Sequence, residues 1–216
     1  MKINQRFPFT SIQKKIQMKE ALVIVAHPDD ETIWMGGFIL KNSQWIWTII
    51  SLCRKNDIDR MPKFLDVCKF YKANAIISDL DDEELKPLPI QEVIEKIKQV
   101  IPKKKYDYIF THGENGEYGH LRHKEVHMAV KKMIEKKDLE CEKTYYFSYK
   151  KGKKSTPGIS ELKIPEPDEN SDLIISLDKH QYINKLKLIK DFYGFDDNNF
   201  ETLSCNRCEA FSVKSN

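Results

Sequence analysis

The sequence lacks any apolar run long enough to span a bilayer, and the stretch from Met1 to Glu20 lacks the apolar core of a signal peptide. We therefore expect a cytoplasmic protein without a transmembrane segment. The charge surplus is also small, with 36 basic against 33 acidic residues and a net charge of +3, so the composition predicts no nucleic-acid partner.

The sequence has only five cysteines, which is an odd number, and their spacing does not match a disulfide framework. The lone pair Cys205-x-x-Cys208 has no second pair to complete a metal site, so we interpret these thiols as inert. A secreted disulfide scaffold is thereby excluded. The oligomeric state is left open, a homo-oligomer included.

The 216 residues suffice for one domain with a sizeable core, and we expect a single domain over 1–216 with residues 1–20 as an N-terminal arm or helix. Apolar strand-like runs alternate with helical patterns, which predicts a Rossmann-like α/β fold with a mostly parallel sheet and helices on both faces. The predicted strands are 21–26, 45–52, 75–80, 107–111, 144–149 and 173–177, and the predicted helices are 31–41, 57–72, 90–101, 121–137 and 178–193.

The second half of the chain is less regular. The stretch Lys150 to Asn170 carries three prolines and turns that contain glycine or serine, and it is predicted to be a long excursion. We expect this half to add strands at a sheet edge or to cover the functional site.

The first chemical motif follows the first predicted strand. The run Ala21 to Ala26 is continuously apolar, as in a buried parallel strand, and it ends in His27-Pro28-Asp29-Asp30-Glu31. Sites of open α/β sheets lie beyond the carboxyl ends of the strands. Imidazole and carboxylate are common zinc ligands, and a second carboxylate beside them can act as a base.

The second motif, from Tyr118 to His127, follows a glycine-rich loop after the fourth strand. If a helix begins here, His120, His123 and His127 share one side of it, because residues three and four apart are neighbours on a helix. Each residue alone has a simpler explanation: His127 as a packing residue, His112 as a hydrogen-bonding residue at a strand end, and an aspartate as a helix cap. Together the two motifs predict a metal site.

These residues resemble the PIG-L/LmbE-type zinc-dependent N-deacetylases. The resemblance is carried by Ala26-His27-Pro28-Asp29-Asp30-Glu31, by Tyr118-Gly119-His120-x-x-His123-x-x-Val126-His127 and by Thr111-His112-Gly113, and it spans about 21–211. It implies a zinc ion, with other divalent metals such as iron or cobalt as alternatives.

The resemblance implies a role for each matching position. His27, Asp30 and His123 would hold the zinc, and three protein ligands leave the open position that is typical of catalytic zinc sites. Asp29 would be the general base, and His120 would stabilise the oxyanion or protonate the leaving amine. Tyr118 would reach the carbonyl oxygen, and Arg54 would contact the substrate.

The chain departs from the family pattern at three places. Leu121-Arg122 replaces the usual Pro-Asp between the two histidines, so an acid that can orient His120 is missing. The turn after the second strand, Cys53 to Asp57, is not glycine-rich. Lys63 stands where an acid is expected three positions beyond Arg60.

The resemblance implies that the chain hydrolyses an N-acetyl group from an amino-sugar derivative, with an N-acetylglucosamine-containing small molecule as substrate. Two alternatives stay open: a zinc amidohydrolase acting on a different small amide, and a catalytically inactive metal- or sugar-binding protein. A nucleotide-binding domain is disfavoured, because the first turn has neither the dinucleotide glycine fingerprint nor a phosphate loop.

Overall fold

The structure, a computed structural model, describes residues 18–84 and 86–216, so most of the expected N-terminal arm lies outside the described residues. The strands are β1 Glu20–Val25, β2 Ile46–Ser51, β3 Asn74–Ile77, β4 Lys105–Thr111, β5 Glu140–Phe147, β6 Tyr149–Thr156, β7 Ile159–Pro167, β8 Leu173–Ser176 and β9 Cys208–Ser215. The helices are α1 Asp30–Lys41, α2 Arg60–Tyr71, α3 Ile90–Val100, α4 Leu121–Glu135, α5 Lys179–Lys187 and α6 Phe200–Ser204, with a π-helical turn at Leu188–Phe192.

Seven strands form one sheet in the order β3-β2-β1-β4-β5-β9-β8. The strands β1 to β5 are parallel to their neighbours, whereas β9 and β8 are added antiparallel at one edge. The predicted mostly parallel α/β sheet is confirmed. Strand order reverses around β1, which lies between β2 and β4, so the carboxyl ends of β1 and β4 are adjacent.

Side chains of β1 alternate between two hydrophobic cores, one on each face of the sheet. Ala21, Val23 and Val25 pack with α1 and α2, whereas Leu22 and Ile24 pack with α3 and α4. All of these β1 side chains are fully buried. Helices therefore cover both faces, and the continuously apolar run is explained by burial on both sides.

The second half contains more regular structure than was predicted. The excursion over 150–170 is the hairpin β6–β7, a separate two-stranded sheet that turns tightly between Thr156 and Ile159. Pro165 and Pro167 are accommodated in β7 because the hairpin has only two strands, and a strand that pairs on one side tolerates proline.

The helix predicted over 178–193 is not the last element. Asp178 and Gln181 form a capping box at its start, but the α-helix ends at Lys187 and continues as the π-helical turn. Helix α6 and strand β9 follow, and β9 pairs with β5 on one side and with the edge strand β8 on the other, so the expected addition of strands at the sheet edge is confirmed. Within the described residues, no helix combines the length and hydropathy needed to cross a membrane.

Candidate metal centre and active site

The two chemical motifs meet at the carboxyl edge of the sheet. β1 ends at Val25 and delivers His27 and Asp30, while β4 ends at Thr111 and leads through the loop 112–120 into α4, which carries His123. Because β1 and β4 are hydrogen-bonded neighbours, the residues after them lie together. The convergence that the sequence predicts is therefore present.

Three ligand atoms form a nearly equilateral triangle at this edge. His27 Nδ1 lies 3.2 Å from His123 Nε2 and 3.3 Å from Asp30 Oδ2, and the remaining side, His123 Nε2 to Asp30 Oδ2, is 3.4 Å. Atoms bound at about 2.0–2.1 Å to a tetrahedral zinc ion lie roughly 3.3 Å from one another. The donor set and its spacing therefore fit one face of a zinc tetrahedron.

A carboxylate lies behind each of the two imidazoles of this triangle. Glu117 Oε2 is 2.6 Å from His123 Nδ1, and Asp82 Oδ2 is 3.1 Å from His27 Nε2. Each carboxylate favours a proton on the ring nitrogen that faces it, which leaves the lone pair of the opposite nitrogen directed at the triangle. This carboxylate–histidine arrangement is typical of metal ligands.

The third member of the triangle, Asp30, is also held in place. Its Oδ1 accepts a hydrogen bond from Trp34 Nε1 at 2.8 Å, and its Oδ2 accepts one from the His27 backbone N–H at 2.8 Å. Burial alone would raise the pKa of Asp30, but the charges of His123 and His112 lower this pKa well below its usual value. The carboxylate is thus ionised, as a metal ligand must be.

The ring nitrogens of His112 and His127 contact other groups, although His112 Nε2 also lies 3.5 Å from Asp30 Oδ2. His112 Nε2 accepts a hydrogen bond from the Ala26 backbone N–H at 2.9 Å, and its Nδ1 is 3.0 Å from Glu117 Oε2, so both ring nitrogens are engaged. His127 Nδ1 lies 2.9 Å from the His112 carbonyl oxygen. These contacts match the simpler explanations given for both residues.

His120 precedes α4 as its N-cap residue, so the prediction that three histidines line one side of the helix was only partly right. Its ring lies 4.8 Å from the ring of His27, and its Nδ1 is buried without a hydrogen-bond partner among the described residues. Burial, with the nearby charges of His123 and His27, lowers the pKa of His120 to about 3. The imidazole is therefore neutral at physiological pH.

Arg122, which replaces the family's acid, does not orient His120. The guanidinium is fully buried, pairs with Glu125 and reaches the carbonyl oxygen of Lys86 at 3.3 Å. It also lies 3.8 Å from Asp82, the carboxylate behind His27. Arg122 therefore places positive charge near the carboxylate behind a candidate metal ligand, whereas His120 Nδ1 has no hydrogen-bond partner in the ranges that the structure describes.

A cavity of about 260 Å³ opens beside the triangle. Asp29 lines it, and its carboxylate pairs with Arg60. Burial and the charge of the adjacent Asp30 raise the pKa of Asp29 well above its usual value, although Arg60 opposes the shift. A raised pKa is typical of a carboxylate that accepts a proton during catalysis.

The remaining predicted residues also line this cavity. Tyr118 packs against the ring of Phe200 at 4.6 Å, and burial raises the pKa of its phenol, which keeps the O–H group protonated. Arg54 is partly exposed and donates to Asp82 Oδ2 at 2.8 Å. Of the seven residues to which the resemblance assigns a role, six thus line this cavity, and the seventh, His123, contacts it through the triangle.

Sequence reasoning missed several residues of the site. Glu117 and Asp82 lie in loops and have no regular spacing to the histidines. Glu117 could still have been suspected, because it is an acid within the glycine-rich loop that precedes His120 and His123. The close approach of Gly113, where a Cβ would lie 2.2 Å from the Phe147 carbonyl oxygen, is visible only in three dimensions. Phe200 and Glu201 come from α6, which carries no metal motif.

Known proteins resemble this chain in sequence. A family model described as PIG-L, GlcNAc-PI de-N-acetylase, matches residues 22–134, which is more than half of the chain. A protein of Acanthamoeba polyphaga mimivirus, described as uncharacterized protein L374, is 24% identical over 122 residues, which is 50% of this chain and 54% of that protein. The match thus spans about half the length of this curated relative.

Solved structures share the fold at low sequence identity. The N,N'-diacetylchitobiose deacetylase of Pyrococcus horikoshii superposes with a TM-score of 0.65 at 14% identity, over 91% of this chain and 84% of that one. The 4-carboxy-2-hydroxymuconate hydratase GalB of Pseudomonas putida KT2440 superposes with a TM-score of 0.55 at 14% identity, over 91% and 96%. Because a deacetylase and a hydratase share this architecture, the fold alone does not identify the reaction.

Proposed function

Since the chain belongs to the PIG-L family of GlcNAc-PI de-N-acetylases, we propose that it is a metal-dependent hydrolase that removes the acetyl group from an N-acetylated amino sugar. The observation that carries the proposal is the triangle of His27 Nδ1, Asp30 Oδ2 and His123 Nε2, with the carboxylate of Asp29 beside it. Zinc is the ion that the donor set and its spacing favour.

His27, Asp30 and His123 would hold the ion, which would supply Lewis-acid polarisation of the amide carbonyl and a lowered pKa for water. Asp29 is the one aspartate of the His-Pro-Asp-Asp motif outside the triangle. It accepts a proton as water attacks the carbonyl carbon, and it returns that proton to the nitrogen as the C–N bond breaks. The products are acetate and a free amine.

Tyr118 and His120 stabilise the oxygen on which negative charge develops. The Tyr118 phenol stays protonated and donates its O–H group. His120 is neutral, and because a buried N–H without a partner is costly, its orphaned Nδ1 favours the tautomer that carries hydrogen on Nε2. His120 therefore acts as a hydrogen-bond donor, and the amine receives its proton from Asp29.

The charge around the cavity restricts the substrate. A second cavity of about 300 Å³ adjoins the first, and the two share Arg54, Asp57 and Asp82 in their walls. The lysines and arginines of the two walls are Arg54, Lys55 and Arg60, whereas the carboxylates are Asp29, Asp30, Asp57, Asp79, Asp81, Asp82, Glu83 and Glu201.

Both arginines already pair with carboxylates, Arg54 with Asp82 and Arg60 with Asp29. Negative charge remains in excess even with a divalent cation bound, and such a surface repels anions. We therefore propose that the substrate is an uncharged or cationic amino sugar rather than one bearing phosphate. The second cavity leaves room for a group attached to that sugar.

The proposal is tested by measuring free acetate from zinc-loaded protein with a panel of amides. The panel holds N-acetylglucosamine, N,N'-diacetylchitobiose, a nucleotide-linked N-acetylglucosamine and an N-acetyl amino acid. We expect metal-dependent acetate release from an uncharged sugar. Acetate release from none of the four compounds would overturn the deacetylase proposal, and release from the amino acid alone would overturn the sugar assignment.

The variant Asp29→Asn tests the base in the same assay. We expect turnover to fall by about a hundredfold or more while zinc content stays at that of the unmodified protein. Asp66→Asn is the matched control, since Asp66 is exposed on α2, outside the residues that line the cavity. Unchanged turnover in Asp29→Asn would exclude Asp29 as the base.

A further inference from the structure

Asp29 has an unusual backbone conformation. Its φ is 100° and its ψ is −31°, a combination that residues other than glycine rarely adopt. Its carbonyl oxygen nevertheless accepts hydrogen bonds from the backbone N–H groups of Thr32 and Ile33 at 2.9 Å each, so the residue is built into the start of α1. Such a conformation persists only where surrounding contacts hold it.

The first of these contacts holds the backbone. The Asp29 N–H donates to Glu31 Oε2 at 3.1 Å, and Glu31 is fully buried. The other oxygen of that carboxylate, Oε1, accepts from the Tyr193 hydroxyl at 2.8 Å and from Thr32 Oγ1 at 2.6 Å. The Tyr193 hydroxyl thus holds the Glu31 carboxylate in place, and this carboxylate in turn holds the Asp29 backbone N–H.

The second contact holds the side chain. Asp29 Oδ2 accepts from Arg60, and the Arg60 guanidinium carbon lies 4.6 Å from the centroid of the Phe195 ring. A guanidinium over an aromatic face is attracted to it and is restricted to that plane. Phe195 therefore restricts the position of the Arg60 guanidinium and, through it, the position of the Asp29 carboxylate.

One turn supplies both Tyr193 and Phe195. The Tyr193 N–H donates to the Leu188 carbonyl at 3.1 Å, five residues back, and the Phe195 N–H donates to the Ile189 carbonyl at 3.2 Å, six residues back. Gly194, between them, has a φ of 83°, which favours glycine. This widened helix end directs the phenol toward Glu31 and the phenyl ring toward Arg60, and π-helical turns recur at functional sites.

We propose that Tyr193 and Phe195 are positioning residues for Asp29, acting through Glu31 and Arg60 respectively. The inference rests on the proposed function, in which Asp29 is the base. It assigns a catalytic purpose to a segment beyond the matched residues 22–134. A base displaced by even a fraction of its hydrogen-bonding distance loses much of its effect, because proton transfer depends on geometry.

Tyr193→Phe tests the first contact, because it removes a single oxygen and keeps the ring. We expect kcat to fall about tenfold, with KM and zinc content unchanged within about twofold. Tyr106→Phe is the matched control: Tyr106 is also buried, and its hydroxyl has no partner in the described part of the chain. A Tyr193→Phe variant with the kcat of the control would overturn the role of Tyr193.

Hydrogen exchange at the Asp29 amide gives a readout that needs no substrate. Loss of the Tyr193 hydroxyl should accelerate this exchange by about tenfold relative to Tyr106→Phe, because Glu31 becomes free to leave the amide. If no panel compound is deacetylated but exchange responds, the proposed function fails and the positioning contact stands. Unchanged exchange overturns the contact whatever the activity.

Arg60→Ala tests the second contact. We expect a loss of kcat that added guanidinium ion partly restores, because the free ion can bind between Asp29 and the Phe195 ring. Phe195→Leu keeps the bulk and removes the aromatic face, so it should lower kcat about three- to fivefold and weaken the rescue of Arg60→Ala in the double variant. Rescue that is equally strong without the aromatic ring would overturn the role of Phe195.

Discussion

The two halves of the molecule contribute differently to the site. The parallel βα units up to α4 supply the ligand triangle of His27, Asp30 and His123 and the carboxylates behind both imidazoles. The less regular half after β5 contributes to the same site in two ways. Phe200 and Glu201 line the cavity. Tyr193 contacts Glu31 and Phe195 contacts Arg60, the two residues that hold Asp29.

This division suggests that metal binding and positioning of the base are separable properties. The metal ligands follow from strand ends that any sheet of this topology brings together, so they depend on a few local positions. The geometry of Asp29 depends on contacts across more than 160 residues of sequence, such as that between Tyr193 and Glu31. Variants of the triangle, or of the carboxylates behind it, should therefore change metal binding, whereas variants of Tyr193 or Phe195 should change turnover at constant metal content.

The largest expected effect is loss of the metal in His123→Ala. If His123 is one of three zinc ligands as proposed, its removal should lower the zinc content of zinc-loaded protein to less than about a tenth of that of the unmodified chain, and activity with it. Elemental analysis after dialysis is the measurement. His180→Ala is the control, since His180 is an exposed histidine on α5. Full zinc content in His123→Ala would remove this residue from the ligand set.

Much of the first half could be predicted because its signals are local. The apolar run before His27 and the histidines after the glycine-rich loop identify strand ends and a helix start, and parallel strand order brings them together. The second half was harder because its determinants are distant. Nothing near Tyr193 in the sequence indicates that its hydroxyl meets Glu31, and the hairpin β6–β7 carries prolines that ordinarily argue against strands.

A smaller effect is expected when the carboxylate behind His123 loses its charge. Glu117→Gln keeps the shape but weakens the hydrogen bond to His123 Nδ1, so zinc affinity should fall about tenfold to a hundredfold while the ion still binds at saturation. Competition with a chelator measures this affinity. Glu114→Gln, an exposed acid in the same loop, should leave it unchanged. Equal affinities in the two variants would contradict the role assigned to Glu117.

The smallest expected effect comes from the acidic residues of the second cavity, which should set the preference between charged and uncharged substrates. Glu83→Lys changes the charge of the second cavity at an exposed position, so it should raise kcat/KM for a phosphate-bearing N-acetyl sugar relative to an uncharged one by about threefold at low salt. The gain should shrink in 0.5 M salt, at which the screening length is only about 4 Å. Glu140→Lys makes the same change at the start of β5, on the opposite edge of the parallel sheet, and should leave the ratio unchanged. If both variants shift the ratio equally, net charge and not the cavity wall sets the preference.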